Sequence, residues 1–283
     1  MEQYKKNGPK IHCLTNPVVM QDTANLLLAA GGSAIMAQAP EEVEEVTSFC
    51  QAALLNIGVP DEAKFKACVL AGKRANALGH PVVLDPVGAG ASRFRQKGLE
   101  QILSQVKVSI IRCNQEEACT LLRMKNKNSN SFGETEMTDE ESPKIPIKRT
   151  AGGVESQIDL EDSKLRMLAG QLSEAYSCTV LISGKKDAVS DGKDTCLIAG
   201  GTERMSRLTG GGCMLSALCA LFCGCGYEPY TAAWRAGELW KESARRAEMQ
   251  NSGTVGIGSF HAYLFDAVEE LCRSKDERGE GKR

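Results

Sequence analysis

Three glycines close on a cysteine in the run Arg207-Leu-Thr-Gly-Gly-Gly-Cys213, immediately before an apolar stretch at residues 214–222. Glycine takes up backbone conformations closed to other residues and lets the chain come close to a ligand. If the apolar stretch is a helix, its first N–H groups have no partner within it, and the peptide dipoles leave positive charge at that end. Gly210, Gly211 and Gly212 would then form an anion-binding turn, most simply for a phosphate. A cysteine in that field has its thiol pKa lowered, which makes Cys213 a candidate for proton transfer. The alternative is a glycine loop capping an ordinary helix over a buried small residue, and the run alone does not choose between the two.

Other polar residues fall directly after apolar runs. Asp85-Pro-Val-Gly-Ala-Gly90 follows Pro81-Val-Val-Leu84, Arg112-Cys-Asn-Gln-Glu-Glu117 follows Val108-Ser-Ile-Ile111, and Ser183-Gly184 follows Cys178-Thr-Val-Leu-Ile182. Asp85 and Glu117 are oxygen donors suited to Mg²⁺, which binds through one or two carboxylates and keeps several waters. Each has an ordinary alternative: Asp85 precedes a proline and suits a turn, and Glu117 suits the first turn of a helix. Arg112 offers a planar fork to a phosphate, or a surface ion pair. Asn114 can hold a phosphate or a metal-bound water and, compatibly, cap the helix that follows. Neither GxxxxGK[ST] nor a strand–GxGxxG–helix run is present, so a nucleotide would have to rest its phosphates on the glycine helix start.

These residues need strands to carry them. Residues 33–36, 53–57, 81–84, 108–111 and 178–182 read as short buried strands, and residues 61–78 as a helix capped by Asp61 and ended by Gly79. A helix over residues 98–106 continues the alternation, which argues for a largely parallel sheet with helices on both faces. Residues 188–189 and 195–199 read as a hairpin turned at Asp191-Gly192. Helices over 213–223, 229–249 and 259–271 finish the chain. In such a sheet, ligands sit beyond the carboxyl ends of the strands, where each polar cluster lies. Residues 125–157, rich in Lys, Asn, Ser, Glu and Pro, read as a mobile surface insertion, and residues 273–283 as a frayed charged tail. The sheet pattern resumes after the insertion, so residues 1–283 read as a single domain.

With 283 residues, 42% hydrophobic and 25% charged, the chain has the composition of an ordinary soluble globular protein. Its net charge of −2 gives no electrostatic case for nucleic acid or an anionic membrane. No leader-like segment opens it and no apolar run is long enough to span a bilayer, which points to the cytoplasm. The twelve cysteines lack paired or metal-type spacing and read mostly as small buried hydrophobes.

Six motifs in order, His12-Cys-Leu-Thr-Asn16, Ser33-Ala-Ile-Met-Ala37, Leu55-Asn-Ile-Gly58, Leu84-Asp-Pro-Val-Gly-Ala-Gly90, Arg112-Cys-Asn-Gln-Glu-Glu117 and Thr209-Gly-Gly-Gly-Cys213, resemble the hydroxyethylthiazole kinase family. The resemblance implies a ribokinase-like three-layer α/β/α fold. It implies an enzyme of thiamine salvage that passes the ATP γ-phosphate to the primary alcohol of 4-methyl-5-(2-hydroxyethyl)thiazole, with Mg²⁺ as cofactor, in a homotrimer with sites at subunit contacts. By the same resemblance Met36 and Gly210 would meet the thiazole substrate. Arg112 and Ser183 would meet ATP, with Asn114, Gly211 and Gly212 beside them on the nucleotide. Asp85 and Glu117 would serve the metal, and Cys213 would lie next to the substrate hydroxyl as the catalytic residue. Relatives commonly carry Gly-Ala-Gly where this chain has Gly210-Gly-Gly212, start with a longer N-terminal segment, and have a shorter insertion. Other ribokinase-like enzymes, such as an NAD(P)H-hydrate dehydratase or a hydroxymethylpyrimidine kinase, usually carry Asp where Cys213 stands. A non-catalytic binding relative is the remaining alternative.

Overall fold

The computed structural model describes residues 8–130, 159–250 and 256–280. In chain order its elements are β1 (Lys10–Leu14), α1 (Met20–Ala29), β2 (Ser33–Ile35), α2 (Val43–Ser48), β3 (Ala52–Asn56), α3 (Glu62–Ala77), β4 (Val82–Asp85), α4 (Arg93–Leu103) and β5 (Ile110–Asn114). Then follow α5 (Gln115–Asn130), α6 (Asp162–Tyr176), β6 (Thr179–Ser183), β7 (Asp187–Ser190), β8 (Thr195–Ile198), α7 (Gly211–Gly224), α8 (Pro229–Gln250) and α9 (Ile257–Glu280). A short 3-10 helix, Glu203–Arg207, leads into the glycine run.

All eight strands form one sheet in the order β2-β1-β3-β4-β5-β6-β7-β8, parallel through β6 and antiparallel from β6 to β8. β3 shows why the middle strands read as unbroken apolar runs. Every residue of Ala-Ala-Leu-Leu-Asn is buried. Ala53 and Leu55 enter the core on one face, and Ala52 and Leu54 the core on the other. A sheet covered on both sides demands this two-faced burial. Helices α2 to α6 lie over the first core, and α1, α7, α8 and α9 over the second. The result is the three-layer ribokinase-like arrangement, with a switch between β1 and β3 where the chain changes its direction of progress along the sheet.

Local chemistry shifted several boundaries. The helix expected over 98–106 begins at Arg93, because the Ser92 side chain accepts the Arg95 N–H and caps it there. The strand expected to end at residue 111 runs to Asn114, so Arg112 and Asn114 stand in β5 rather than after it. The turn at Asp191-Gly192 joins β7 and β8 as expected, with Gly192 at φ 88° and Asp191 Oδ1 accepting the Lys193 and Asp194 N–H groups. Of the expected insertion at 125–157, residues 125–130 instead continue α5, since extending an existing helix adds one hydrogen bond per residue fixed; the rest lies outside the described residues. The charged tail likewise stays helical to Glu280, its Lys, Arg and Glu being good helix formers. No described helix is long and apolar enough to cross a membrane.

Candidate active site

The carboxyl edge of the parallel strands carries a polar residue at nearly every end: Asn16 just beyond β1, Asn56 at the end of β3, Asp85 on β4, Asn114 on β5 and Ser183 on β6. Asn16 and Asn56 flank the β1/β3 switch, where open parallel sheets place their ligands.

Asp85 is the centre of this row. It is fully buried, and its Oδ2 accepts hydrogen bonds from Asn56 Nδ2 at 2.7 Å and Ser216 Oγ of α7 at 2.9 Å. Its Oδ1 has no hydrogen-bond partner among the described residues and faces Arg112 Nη1 at 3.8 Å. Burial raises the pKa of this carboxyl, opposed by the Arg112 charge and by bonds from Ser216, Cys213 and Asn56. Asn56 Oδ1 accepts in turn from Asn16 Nδ2 at 3.0 Å and the Gly58 N–H at 2.9 Å. Asn16 Nδ2 also points at Cys213 Sγ, 3.7 Å away. Below the row, the buried Lys64 of α3 donates to Thr15 O at 2.7 Å and Gly58 O at 2.9 Å, tying the loops after β1 and β3 together.

Cys213 thus sits beside Asp85, at the first turn of α7, but not as the activated thiol that a helix start favours. Burial pushes its pKa up to about 12, the Asp85 charge adds to that, and Arg112, Asn56 and Asn16 recover only part. Removing water from the sulfur and placing a carboxylate next to it outweigh the helix field. The thiol is protonated at neutral pH.

The glycine run opens α7. Gly210 is its N-cap in the left-handed region at φ 77°, and a Cβ there would collide with Val19. Beneath Gly212 lies the Arg112 guanidinium, again leaving no space for a Cβ. Gly211 has room: a Cβ would meet nothing closer than the Met205 carbonyl at 3.8 Å. Buried Arg112 donates through Nη2 to Ser183 Oγ, while its Nε has no partner among the described residues.

Asn114 and Glu117 form a reciprocal cap. Asn114 Oδ1 accepts the Glu117 N–H at 2.9 Å, and Glu117 Oε2 accepts the Asn114 N–H at 2.9 Å. The other oxygen, Oε1, takes the Gly88 N–H at 2.8 Å, fixing the turn after β4. Burial first and the Asp85 charge second raise this carboxyl to about 7, against the pull of Arg112 and the two N–H groups. Glu117 therefore feels the Asp85 charge, and each carboxylate keeps lone pairs for a further ligand. No group of three metal-type side chains exists among the described residues. The unbonded Asp85 Oδ1 and the remaining lone pairs of Glu117 fit Mg²⁺, which draws its other ligands from water and phosphate.

Met36 stands apart. It follows the last residue of the edge strand β2, is partly buried and packs with the core between the sheet and α7; no hydrogen bond links it to the Asp85 network. Among the polar residues not singled out from sequence, Asn56 carries the same signal as Asp85, a polar side chain ending an apolar strand. Lys64, Ser216 and the buried pair of Asp187 with Lys241, 3.1 Å apart, carry none, being spaced like surface or core positions in their own segments.

Known proteins resemble the chain over most of its length. The model of the hydroxyethylthiazole kinase family matches residues 1–142 and 143–274. A hydroxyethylthiazole kinase from Alkaliphilus oremlandii (strain OhILAs) is 37% identical over 285 residues, covering 100% of this chain and 95% of its own. The solved structure of a hydroxyethylthiazole kinase protein from Pyrococcus horikoshii OT3 superposes with a TM-score of 0.75 at 32% identity, over 95% of this chain and 91% of that one. A Bacillus subtilis pyridoxal kinase in its ADP complex has a TM-score of 0.59 at 15% identity, over 84% and 91%, which speaks for the fold alone.

Proposed function

The chain belongs to the hydroxyethylthiazole kinase family, and we propose that it transfers the γ-phosphate of ATP to the primary alcohol of 4-methyl-5-(2-hydroxyethyl)thiazole, returning the thiazole to thiamine synthesis. The observation that carries this reading is the convergence of Asp85, Arg112 and Cys213 beneath the glycine start of α7.

Phosphoryl transfer needs positioning and charge stabilisation more than covalent help from the protein. The N–H groups of Gly212 and Cys213 open α7 and suit the moving phosphoryl oxygens. Arg112 and Ser183, joined on adjacent strands β5 and β6, form the nucleotide side, with Asn114 holding the turn beside them. The thiazole side lies toward β1, β2 and β3, between Gly210 and Met36. Asp85 and Glu117 would hold Mg²⁺, which neutralises phosphate charge when bound. Cys213, a thiol with its pKa near 12, orients the substrate hydroxyl; as that oxygen bonds to the γ-phosphorus and ADP leaves, the hydroxyl proton passes to an oxygen of the transferred phosphoryl group.

We read residues 1–283 as one domain, since a single sheet takes strands from both sides of residues 131–158. Exposed Val18 and Val59 flank the Asn16–Gly58 contact at 60% and 58% exposure, and Val59 holds φ 48°, a strained conformation for a β-branched residue. Apolar surface at the mouth of the site supports a homotrimer with sites at subunit contacts. The twelve cysteines, without paired or metal-type spacing, suit the reducing cytoplasm.

The test is phosphate transfer from Mg·ATP to the thiazole alcohol, with product identified by mass, for the intact protein and for Cys213→Ala. The intact protein makes thiazole phosphate. The variant loses about tenfold in kcat, as expected for an orienting thiol rather than a preformed base. Absence of product from folded intact protein would sink the assignment.

A further inference from the structure

His12 is fully buried in β1, and both ring nitrogens are engaged: Nε2 with Ala37 O at 2.8 Å and Nδ1 with Thr47 Oγ1 at 2.8 Å. Ala37 directly follows Met36. The ladder between β1 and the three-residue edge strand β2 ends at the pair His12↔Ile35. Past that pair the chain carrying Met36 leaves the sheet, and the imidazole reaches two residues further to hold it.

A carbonyl only accepts, so Nε2 carries the hydrogen. The Thr47 hydroxyl is 2.7 Å from Val43 O as well as close to Nδ1. When the ring is neutral, that hydroxyl turns to donate to Nδ1. When the ring is charged, Nδ1–H donates to Thr47 and the hydroxyl donates to Val43 O. The bond to Ala37 is the same in both states, so this side chain is a tie rather than a pH switch.

We propose that His12 is a positioning residue that fixes the Met36 wall of the acceptor pocket and so sets the fit of the thiazole ring, a proposal that rests on Met36 contacting that ring. The transfer machinery on Asp85, Arg112 and Cys213 does not depend on this tie, because the Asp85 network contains neither His12 nor Ala37.

The test compares His12→Gln with His12→Asn in steady-state kinetics, varying thiazole alcohol and ATP separately. A glutamine amide nitrogen reaches the place of Nε2 and keeps the Ala37 bond; an asparagine nitrogen reaches only the place of Nδ1. The asparagine variant is expected to raise the KM for thiazole about five- to tenfold, the effect of one lost buried hydrogen bond, with kcat and the KM for ATP changed less than about twofold. The glutamine variant restores the thiazole KM. Thr47→Val, which keeps the Ala37 tie, leaves it unchanged and so separates the tie from general loss of packing. Equal behaviour of the two His12 variants, or an equal rise in Thr47→Val, overturns the positioning role while the kinase reading stands. An unchanged thiazole KM in Met36→Ala overturns the assignment of Met36 itself, and the proposal with it.

Discussion

The Arg112 guanidinium lies directly under Gly212, so that the glycine turn opening α7 and the cation of β5 share one contact with no side chain between them. Arg112 is held from the other side by Ser183 and lies 3.8 Å from Asp85. It has little freedom to move away.

The three glycines should therefore respond differently to alanine. Gly212→Ala pushes the guanidinium off Ser183 and Asp85, and kcat/KM for ATP should fall by roughly 100-fold or more, since misplacement of a charge-stabilising group by about 1 Å is that costly. Gly211→Ala meets only ordinary contacts, the nearest at 3.8 Å, and should leave activity intact and raise stability by about 0.5–1 kcal/mol through its better helix propensity. Gly210→Ala is forced to keep φ 77° and strikes Val19, so it should lower the melting temperature as well as activity. Thermal melting and steady-state kinetics on the three variants check the order. Equal effects at 211 and 212 would contradict the packing described.

Glu117 gives a pH dependence with a definite sign. Its carboxyl titrates at about 7 in the folded chain against an ordinary value of 4.5. The folded state thus binds a proton more tightly than the unfolded one. That stabilisation is complete below about pH 4.5 and is lost as pH rises through 7. A shift of this size corresponds to roughly 3 kcal/mol. In metal-free protein, the stability difference between the native chain and Glu117→Gln should move by that amount in favour of the variant between pH 4.5 and 8. Urea unfolding at a series of pH values measures it, and a flat difference would mean that the two backbone N–H groups hold the carboxylate charged throughout.

The layout of the sheet was legible because burial on both faces leaves continuous apolar runs such as Ala53-Leu-Leu, and because Asp85, Arg112 and Ser183 interrupt or end such runs with groups that chemistry can use. The glycine start of α7 was legible for the same reason. The state of Cys213 was not: the helix field is a local property visible in sequence, whereas its burial and the Asp85 charge come from β4, far away in the chain. Lys64 and Lys241 escaped notice because a lysine within a helical pattern looks like a solvated face. Only the fold shows their amines turned inward onto loop carbonyls. Strand β1, as long as β3 but with Lys10 and His12 breaking its apolar run, and helix α1, whose apolar residues bunch at Leu26-Leu-Leu28, lacked the pattern that marks the other elements.

Lys241 offers the sharpest test of those inward-facing charges. Its amine lies 3.1 Å from Asp187 Oδ1 and donates to the carbonyls of Gly184 at 2.7 Å and Lys185 at 3.1 Å, just past Ser183. Asp187 Oδ1 also takes the Gly184 N–H at 3.0 Å, and both side chains are buried. Removing only the amine leaves Asp187 charged and desolvated, its pKa already raised by burial against the pull of Lys241. Lys241→Met should therefore cost about 3–5 kcal/mol, the usual penalty for orphaning half of a buried ion pair. Removing both charges should cost much less, because an apolar pair of similar volume no longer needs solvation. Lys241→Met with Asp187→Leu should accordingly recover most of the stability of the single variant in urea unfolding, a coupling that a double-mutant cycle isolates. Activity should not recover with it. The double variant still lacks the amine that holds the Gly184 and Lys185 carbonyls, so the loop beside Ser183 loosens and the KM for ATP stays high while the fold is restored.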